Sequence, residues 1–150
     1  MTGNIEAIYV SANHGEPKES IPHAELRANV GLIGDRYAGG GVVSIIEAEA
    51  VEAFNESTGL SVSADETGRN VVTRGIRLND LVGRTFRLGG ATLKGFELCE
   101  PCLVLGSRLA TASVRPHEVV KAFTHSAGIR ALVVASGRVS PGDDIEVRIA

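Results

Sequence analysis

A chain of 150 residues with a formal net charge of −3 is long enough to bury one substantial core, and it offers no general basic surface for coating a nucleic acid. No apolar run approaches the roughly 18 residues that span a bilayer, and the N-terminus MTGNIEAIYV lacks the parts of a signal peptide. A cytoplasmic protein with no membrane or nucleic-acid partner is expected, with its two cysteines reduced, catalytic or metal-binding.

Ile5 to Ser11 reads as a first strand, followed by a polar loop from His14 to Pro22 that carries Lys18 and Ser20. Ala24 to Val30 alternates apolar and polar residues, which predicts a second strand with one buried face. Gly31 to Gly41 is a glycine-dense loop. It lacks the spacing of a dinucleotide fingerprint, and Asp35 within it reads as a turn residue. Val42 to Ile46 is a short β-branched strand. From Glu47 to about Ser57 the period changes: Ala50, Val51 and Phe54 share a helical face, acids crowd the first turn, and Gly59 marks a stop.

Asp65 to Ile76 encloses a short apolar run between arginines, and Leu78 to Val82 fits one helical turn. Thr85–Leu88 and Ala91–Lys94 flank Gly89-Gly90, the pattern of a tight hairpin. Its second strand can continue through Phe96 and Leu98 to Cys99. Pro116 opens a helix with Val119, Val120 and Phe123 on one side and Gly128 at its end. Ile129 to Ala135 is an apolar strand, Pro141-Gly142-Asp143-Asp144 a turn, and Ile145 to Ile149 a final alternating strand. Eighteen glycines between so many short strands predict a mainly β fold, a closed or nearly closed β-barrel with a few short helices inserted, over one domain of residues 1–150.

The chemistry has to pass through Cys99-Glu100-Pro101-Cys102. A zinc site needs four ligands, and the four histidines are scattered singly. A thioredoxin-like dithiol needs a βαβ setting that the chain lacks. A third reading is a single working thiolate: Cys102 after Pro101 at the first turn of a short helix, able to hold a soft metal or carry a persulfide. Burial as small apolar residues stays open for both cysteines. Arg69 and Arg74 each adjoin a glycine in one loop, which suits a phosphate or carboxylate, a small anionic ligand. His125, Ser126 and Arg130 could line a site or serve as surface and capping groups.

The segments GLIGDRYAGG (31–40), VVSIIEAEAVEAF (42–54), GRNVVTRGIRLNDLVGRTFRLGGATLKG (68–95), CEPC (99–102) and SGRVSPGDDIEV (136–147) together resemble the MOSC family. These domains occur at the C-terminus of molybdenum-cofactor sulfurases and as small free-standing bacterial proteins. The resemblance implies a barrel related to the small barrel of pyruvate kinase. It implies that Cys102 is the catalytic cysteine and metal ligand, and that Arg69, Asn70, Thr73 and Arg74 bind the cofactor, with the Lys18–Ser20 loop as a further candidate. The cofactor would be a molybdenum-pterin group serving the reduction of N-hydroxylated compounds. Alternatively, Cys102 would carry a persulfide to a metal centre. Tyr37 stands where many members have His, so no role of that His transfers. The aminotransferase-like domain of the large sulfurases is absent, so no pyridoxal phosphate is expected and a sulfur donor or electron-transfer partner would be needed. The rival from another class is a non-catalytic barrel that binds a partner or small anion. Oligomeric state is not legible.

Overall fold

The computed structural model describes residues 1–13 and 15–147. In chain order the strands and helices are β1 (Thr2–Val10), β2 (Glu19–Ser20), β3 (Ala24–Arg27), β4 (Gly31–Leu32), β5 (Val42–Glu47), α1 (Ala48–Thr58), β6 (Val71–Arg74), β7 (Thr85–Leu88), β8 (Ala91–Leu98), α2 (Leu103–Leu109), α3 (Pro116–Phe123), β9 (Ile129–Ala135), β10 (Gly137–Val139) and β11 (Asp144–Val147). Single 3₁₀ turns at Ala64–Thr67 and Leu78–Leu81 precede and follow β6.

Seven strands close on themselves in the order β11-β7-β8-β9-β5-β6-β1, with β1 returning to β11 through Thr2↔Glu146, Gly3↔Ile145 and Asn4↔Asp144. This is the expected barrel. The β5–β6 pair is parallel, because α1 and the 64–67 turn cross over between them. A small separate sheet, β10-β3-β4, packs Ala24, Leu26, Leu32 and Val139 into the same core.

The alternation of each strand builds two apolar layers. Val43, Ile45, Val71, Phe86, Leu93, Ile129 and Ala131 are among the residues filling the barrel. Their neighbours Ile46 and Val72 belong instead to a second cluster with Val51, Phe54, Leu105, Leu109, Val119 and Phe123, where the three helices cover the barrel wall. Phe54 and Phe123 stack there with ring centroids 3.9 Å apart. The Gly-Gly hairpin forms in the expected register, Leu88↔Ala91.

Two boundaries differ from expectation, and a third falls partly outside the described residues. The second strand stops at Arg27, because Asn29 takes φ 67° and Gly31 φ 104°, turning the chain back as β4. The late helix ends at Phe123, several residues before Gly128, because Thr124 is non-helical and His125 has φ 64°. The last strand is described to Val147; Arg148 and Ile149 lie outside the described residues. No helix among the described residues is long and apolar enough to cross a membrane.

Candidate functional site

A cleft of about 1040 Å³ opens between the end of the barrel, the 64–70 loop, the 15–18 segment and α2. Its floor includes Ser44 of β5, and Phe96 and Arg130 come from β8 and β9. Phe96 reaches it through a bulge: Gly95 pairs Ala131 and Glu97 pairs Arg130, leaving Phe96 as the extra residue. Gly95 permits this because a Cβ there would run into the Leu81 carbonyl oxygen.

Both cysteines line this cleft, in different states. Cys99 continues from β8 with its N–H donated to the Gly128 carbonyl at 2.8 Å, and only 1% of its surface is accessible. Burial pushes its thiol pKa up, against the pull of Arg69 and Arg130. Cys102 is exposed and forms the N-cap of α2. Its side chain makes no capping hydrogen bond within geometric limits, yet the nearby amides hold its pKa below the ordinary value. The Leu105 amide contributes most; burial opposes it, and the Val104 amide and the Arg69 and Arg108 guanidiniums tip the balance downward. These free helix-end donors favour the charged form, as does any cation nearby. The Glu100-Pro101 link makes no turn. Among the described residues no group of three His, Cys, Asp or Glu side chains could hold a metal ion. The four-ligand zinc reading therefore finds no set here.

Arg69 follows the αL residue Gly68 and turns its side chain across the cleft. Its Nε donates to the Ala127 carbonyl at 2.8 Å and Nη1 to the Thr67 carbonyl at 3.4 Å. No carboxylate among the described residues pairs with it, and burial lowers its pKa from a very high ordinary value, leaving it charged. Asn70 is 4% exposed and fully engaged. Its N–H donates to Ser44 Oγ at 3.0 Å, its Oδ1 accepts from Ser44 Oγ at 3.1 Å, and its Nδ2 donates to the Tyr9 carbonyl at 3.1 Å. Asn70 thus pins the arginine loop between β1 and β5 and touches the cleft from behind.

Thr73 and Arg74 are not brought to this site. They lie further along β6, four residues of extended chain carrying Arg74 about 13 Å beyond Asn70. Thr73 is fully buried beside Ile5 and Glu47 of the flanking strands, with its hydroxyl oxygen unpartnered. Arg74 is neutralised at the surface by Glu6 at 2.7 Å and Glu52 at 2.8 Å. The adjoining glycine that made Arg74 look like an anion ligand serves the backbone: Gly75 has φ 87° and donates its N–H to Glu49. Ser20 pairs with Tyr9 in β2 and does not line the cleft, whereas Lys18 does.

Other cations stand at the cleft in their place. Arg36, Arg108 and Arg130 line the cleft with Arg69. Arg130 is paired with Glu97 at 3.2 Å, while Arg36 and Arg108 have no carboxylate partner among the described residues. The Arg36 guanidinium lies 4.9 Å from the Tyr37 ring centre, and its Nε is buried without a partner. Asp35, expected as a turn residue, is an anchor: it accepts from the Ser11 and Tyr37 amides and from Lys18 Nζ at 3.1 Å. Burial alone would raise the Asp35 pKa, but these donors outweigh it and hold the carboxyl below its usual range. Burial lowers Lys18 in spite of Asp35. The carboxylate's shift carries the pair, since it rests on three specific donors. Arg36 was readable from its place beside Asp35 in the glycine-dense loop. Arg108 becomes meaningful only once α2 is known to begin at Cys102.

His125 and Glu100 form a contact outside the thiol itself: the His125 N–H and Nδ1 reach the two Glu100 oxygens at 2.9 and 3.0 Å. The same turn gives Ala127 to Arg69 and Gly128 to Cys99, so residues 125–128 brace both walls of the cleft. Ser126 bonds back to Phe123 as a capping group.

Residues 11–146 match the model of the MOSC domain. The chain belongs to the MOSC family. Among solved structures, the YuaD protein from Bacillus subtilis is similar at 19% identity with a TM-score of 0.86, over 97% of this chain and 94% of that one. YiiM from Escherichia coli is similar at 19% identity and TM-score 0.73, over 100% and 71% of the two chains. YiiM from Geobacillus stearothermophilus gives 16%, 0.71, 98% and 75%. At these identities the likeness is one of fold. Comparison with curated proteins gives no significant sequence match.

Proposed function

We propose that this MOSC protein binds a molybdenum-pterin cofactor through the Cys102 thiolate and acts in the reduction of N-hydroxylated compounds. The observation that carries this reading is the pairing of an exposed, acidified Cys102 with three cleft arginines that no carboxylate among the described residues neutralises. A single soft thiolate suits a metal whose other ligands come from an organic cofactor. Arg69, Arg108 and Arg36 would hold a phosphate by charge-assisted hydrogen bonds, and the buried, unpartnered Arg36 Nε supplies a donor awaiting an acceptor. The cleft is at the upper end of the range for small-molecule and cofactor sites.

When bound, the cofactor would supply the electron-transferring centre. The chain's own residues bind and orient it: the α2 amides and Arg69 favour the Cys102 thiolate, and Asn70 fixes the loop that presents Arg69. Phe96, Val104 and Leu105 give the cleft its apolar lining. Electrons would come from a redox partner protein.

A second reading is favoured by the exposure of Cys102. A partner's persulfide can reach it directly, so that the thiolate attacks the outer sulfur, a new S–S bond forms on Cys102, and the donor leaves as a thiolate. Purification from a host that makes the cofactor separates the two readings. Stoichiometric molybdenum lost in Cys102→Ser supports the first. Cyanide-labile sulfur without molybdenum supports the second. Neither, together with an unaltered Cys102→Ser phenotype in cells, leaves the non-catalytic barrel standing.

A further inference from the structure

We propose that the cleft is a site for a small sulfane-sulfur oxyanion of the thiosulfate type, and that Cys102 takes the outer sulfur from it while the arginines hold the departing sulfite. This rests on the persulfide reading above and makes the sulfur source a free anion instead of a partner protein.

Like charges crowd this cleft. Arg108 extends from α2 to the loop that carries Arg69: a Cβ on Gly68 would stand 3.4 Å from Arg108 Nη1. Arg130 and Arg108 both disfavour the charge on Arg69. Arg130 has Glu97 to offset it, but Arg69 and Arg108 have no carboxylate partner among the described residues. Of the acids lining the cleft, Glu16 is bound by Asn13, Glu66 by the Ser63 amide and hydroxyl, and Glu100 by His125, while Asp65 bears on Tyr9. Like charges held together without a counterion are costly. On the same cleft the buried Arg36 Nε lacks an acceptor. An anion of more than one charge answers all three guanidiniums.

The nucleophile narrows the anion. Arg69 and Arg108 act on the Cys102 sulfur as well as on each other, so an anion held between them lies near an exposed thiol. A phosphate there would be inert toward sulfur. An oxyanion with a sulfane sulfur reacts, because a soft thiolate attacks sulfur. The Cys102 thiolate attacks the outer sulfur of thiosulfate, an S–S bond forms on Cys102, the S–S bond to the sulfonate sulfur breaks, and its electron pair leaves with sulfite. The summed charge of thiolate and thiosulfate equals that of persulfide anion and sulfite, and no outside oxidant, reductant or proton enters. Thiolate and dianion repel on approach; Arg36, Arg69 and Arg108 offset that repulsion and the charge that settles on sulfite. A protein persulfide needs no such provision, since its leaving group is a single thiolate. Cys99, 1% exposed and kept neutral by burial, attacks the new persulfide poorly, so the sulfur stays on Cys102.

The test incubates the purified, reduced protein with thiosulfate or with the persulfide of N-acetylcysteine amide. Mass spectrometry reads the gain of one sulfur on Cys102, and released sulfite is measured alongside. Thiosulfate is expected to load Cys102 with matching sulfite. The ratio of the thiosulfate rate to the persulfide rate should fall at least about tenfold in Arg108→Ala and in Arg36→Ala, and hold its wild-type value in Arg74→Ala. Taking the ratio cancels any change in the thiol itself, which both donors share. The wild-type arms decide without any variant: loading by the persulfide but not by thiosulfate overturns the proposal and leaves the persulfide reading standing, whereas loading by neither overturns both. A ratio unmoved in both cleft variants also overturns it, because sulfite would then leave away from the arginines.

Discussion

Cys102 differs from Cys99 by three positions and by the whole of its environment. At Cys99, removal of water dominates and the thiol is held neutral. At Cys102, amide donors and cations act on a group that keeps its solvent, so the thiolate gains. The rate of alkylation by iodoacetamide against pH should therefore give a midpoint for Cys102 below that of a free thiol. Arg108→Ala, a change to an exposed side chain, should move the midpoint up. Arg69→Ala should move it further, because Arg69 contributes more than Arg108. A midpoint at or above the free-thiol value would remove the case for chemistry at Cys102.

Asp35 tests the other wall at the same scale. Its side chain is 2% exposed and that of Lys18 is 3%, so removing the charge in Asp35→Asn leaves the Lys18 ammonium without its counterion and the three donors with a single carbonyl oxygen. The expected loss is about 3 kcal/mol in urea unfolding, moderated because burial already eases deprotonation of Lys18. The folded pKa of Asp35 is depressed. Its stabilisation is therefore complete above the unfolded carboxylate value and drains away as pH falls from about 4 towards the folded value. The gap between wild type and Asp35→Asn should close over that acid window and stay constant from pH 5 to 7. A constant gap through the acid limb would show that the charge is not what Asp35 contributes.

Among the elements, the turn after α3 shows how backbone conformation sets the site. Gly128 sits at φ 97°, and a Cβ there would run into the Ile45 carbonyl oxygen of β5. Its own carbonyl receives the Cys99 amide. Gly128→Ala should cost at least about 2 kcal/mol, combining left-handed strain with a backbone clash. Because β5 and the cysteine segment would part together, Cys99 should also become reactive to alkylating agents in the folded protein. Thermal unfolding and mass mapping of the labelled thiol check both. Intact melting with a protected Cys99 would show that the turn is not a brace. The sequence placed this glycine at a helix end, whereas its role comes from a neighbour more than eighty residues earlier in the chain. Local signals reported the strands and α1 well, since the period of apolar residues is a local property. They could not report contacts that only barrel closure creates.

At the scale of the whole molecule, the same distinction explains which site residues were legible. Cys102 and Arg69 stand at ends of elements, where a nucleophile or cation beside Pro or Gly is visible in the chain. Arg74 looks equivalent to Arg69 in sequence, but β6 carries it to the opposite end of the barrel, against Glu6 and Glu52. Arg36 and Arg108 come from separate segments and reach the cleft only in the fold. The result is a chain of net charge −3 with a cleft that concentrates unneutralised arginines, and this has a consequence for the stability of the whole protein. A dianion that binds the folded cleft should stabilise it by about 2.7 kcal/mol at a hundredfold excess over its dissociation constant. Pyrophosphate should therefore raise the melting temperature by several degrees, and sodium chloride of equal ionic strength should not. Arg36→Ala and Arg69→Ala should each lose most of that rise. Arg74→Ala should retain it while losing less than about 1 kcal/mol of basal stability, since its ion pairs are solvent-exposed. If Arg74→Ala abolished the rise as fully as Arg69→Ala, the anion would have to bind at the far end of β6, and the cleft would not be its site.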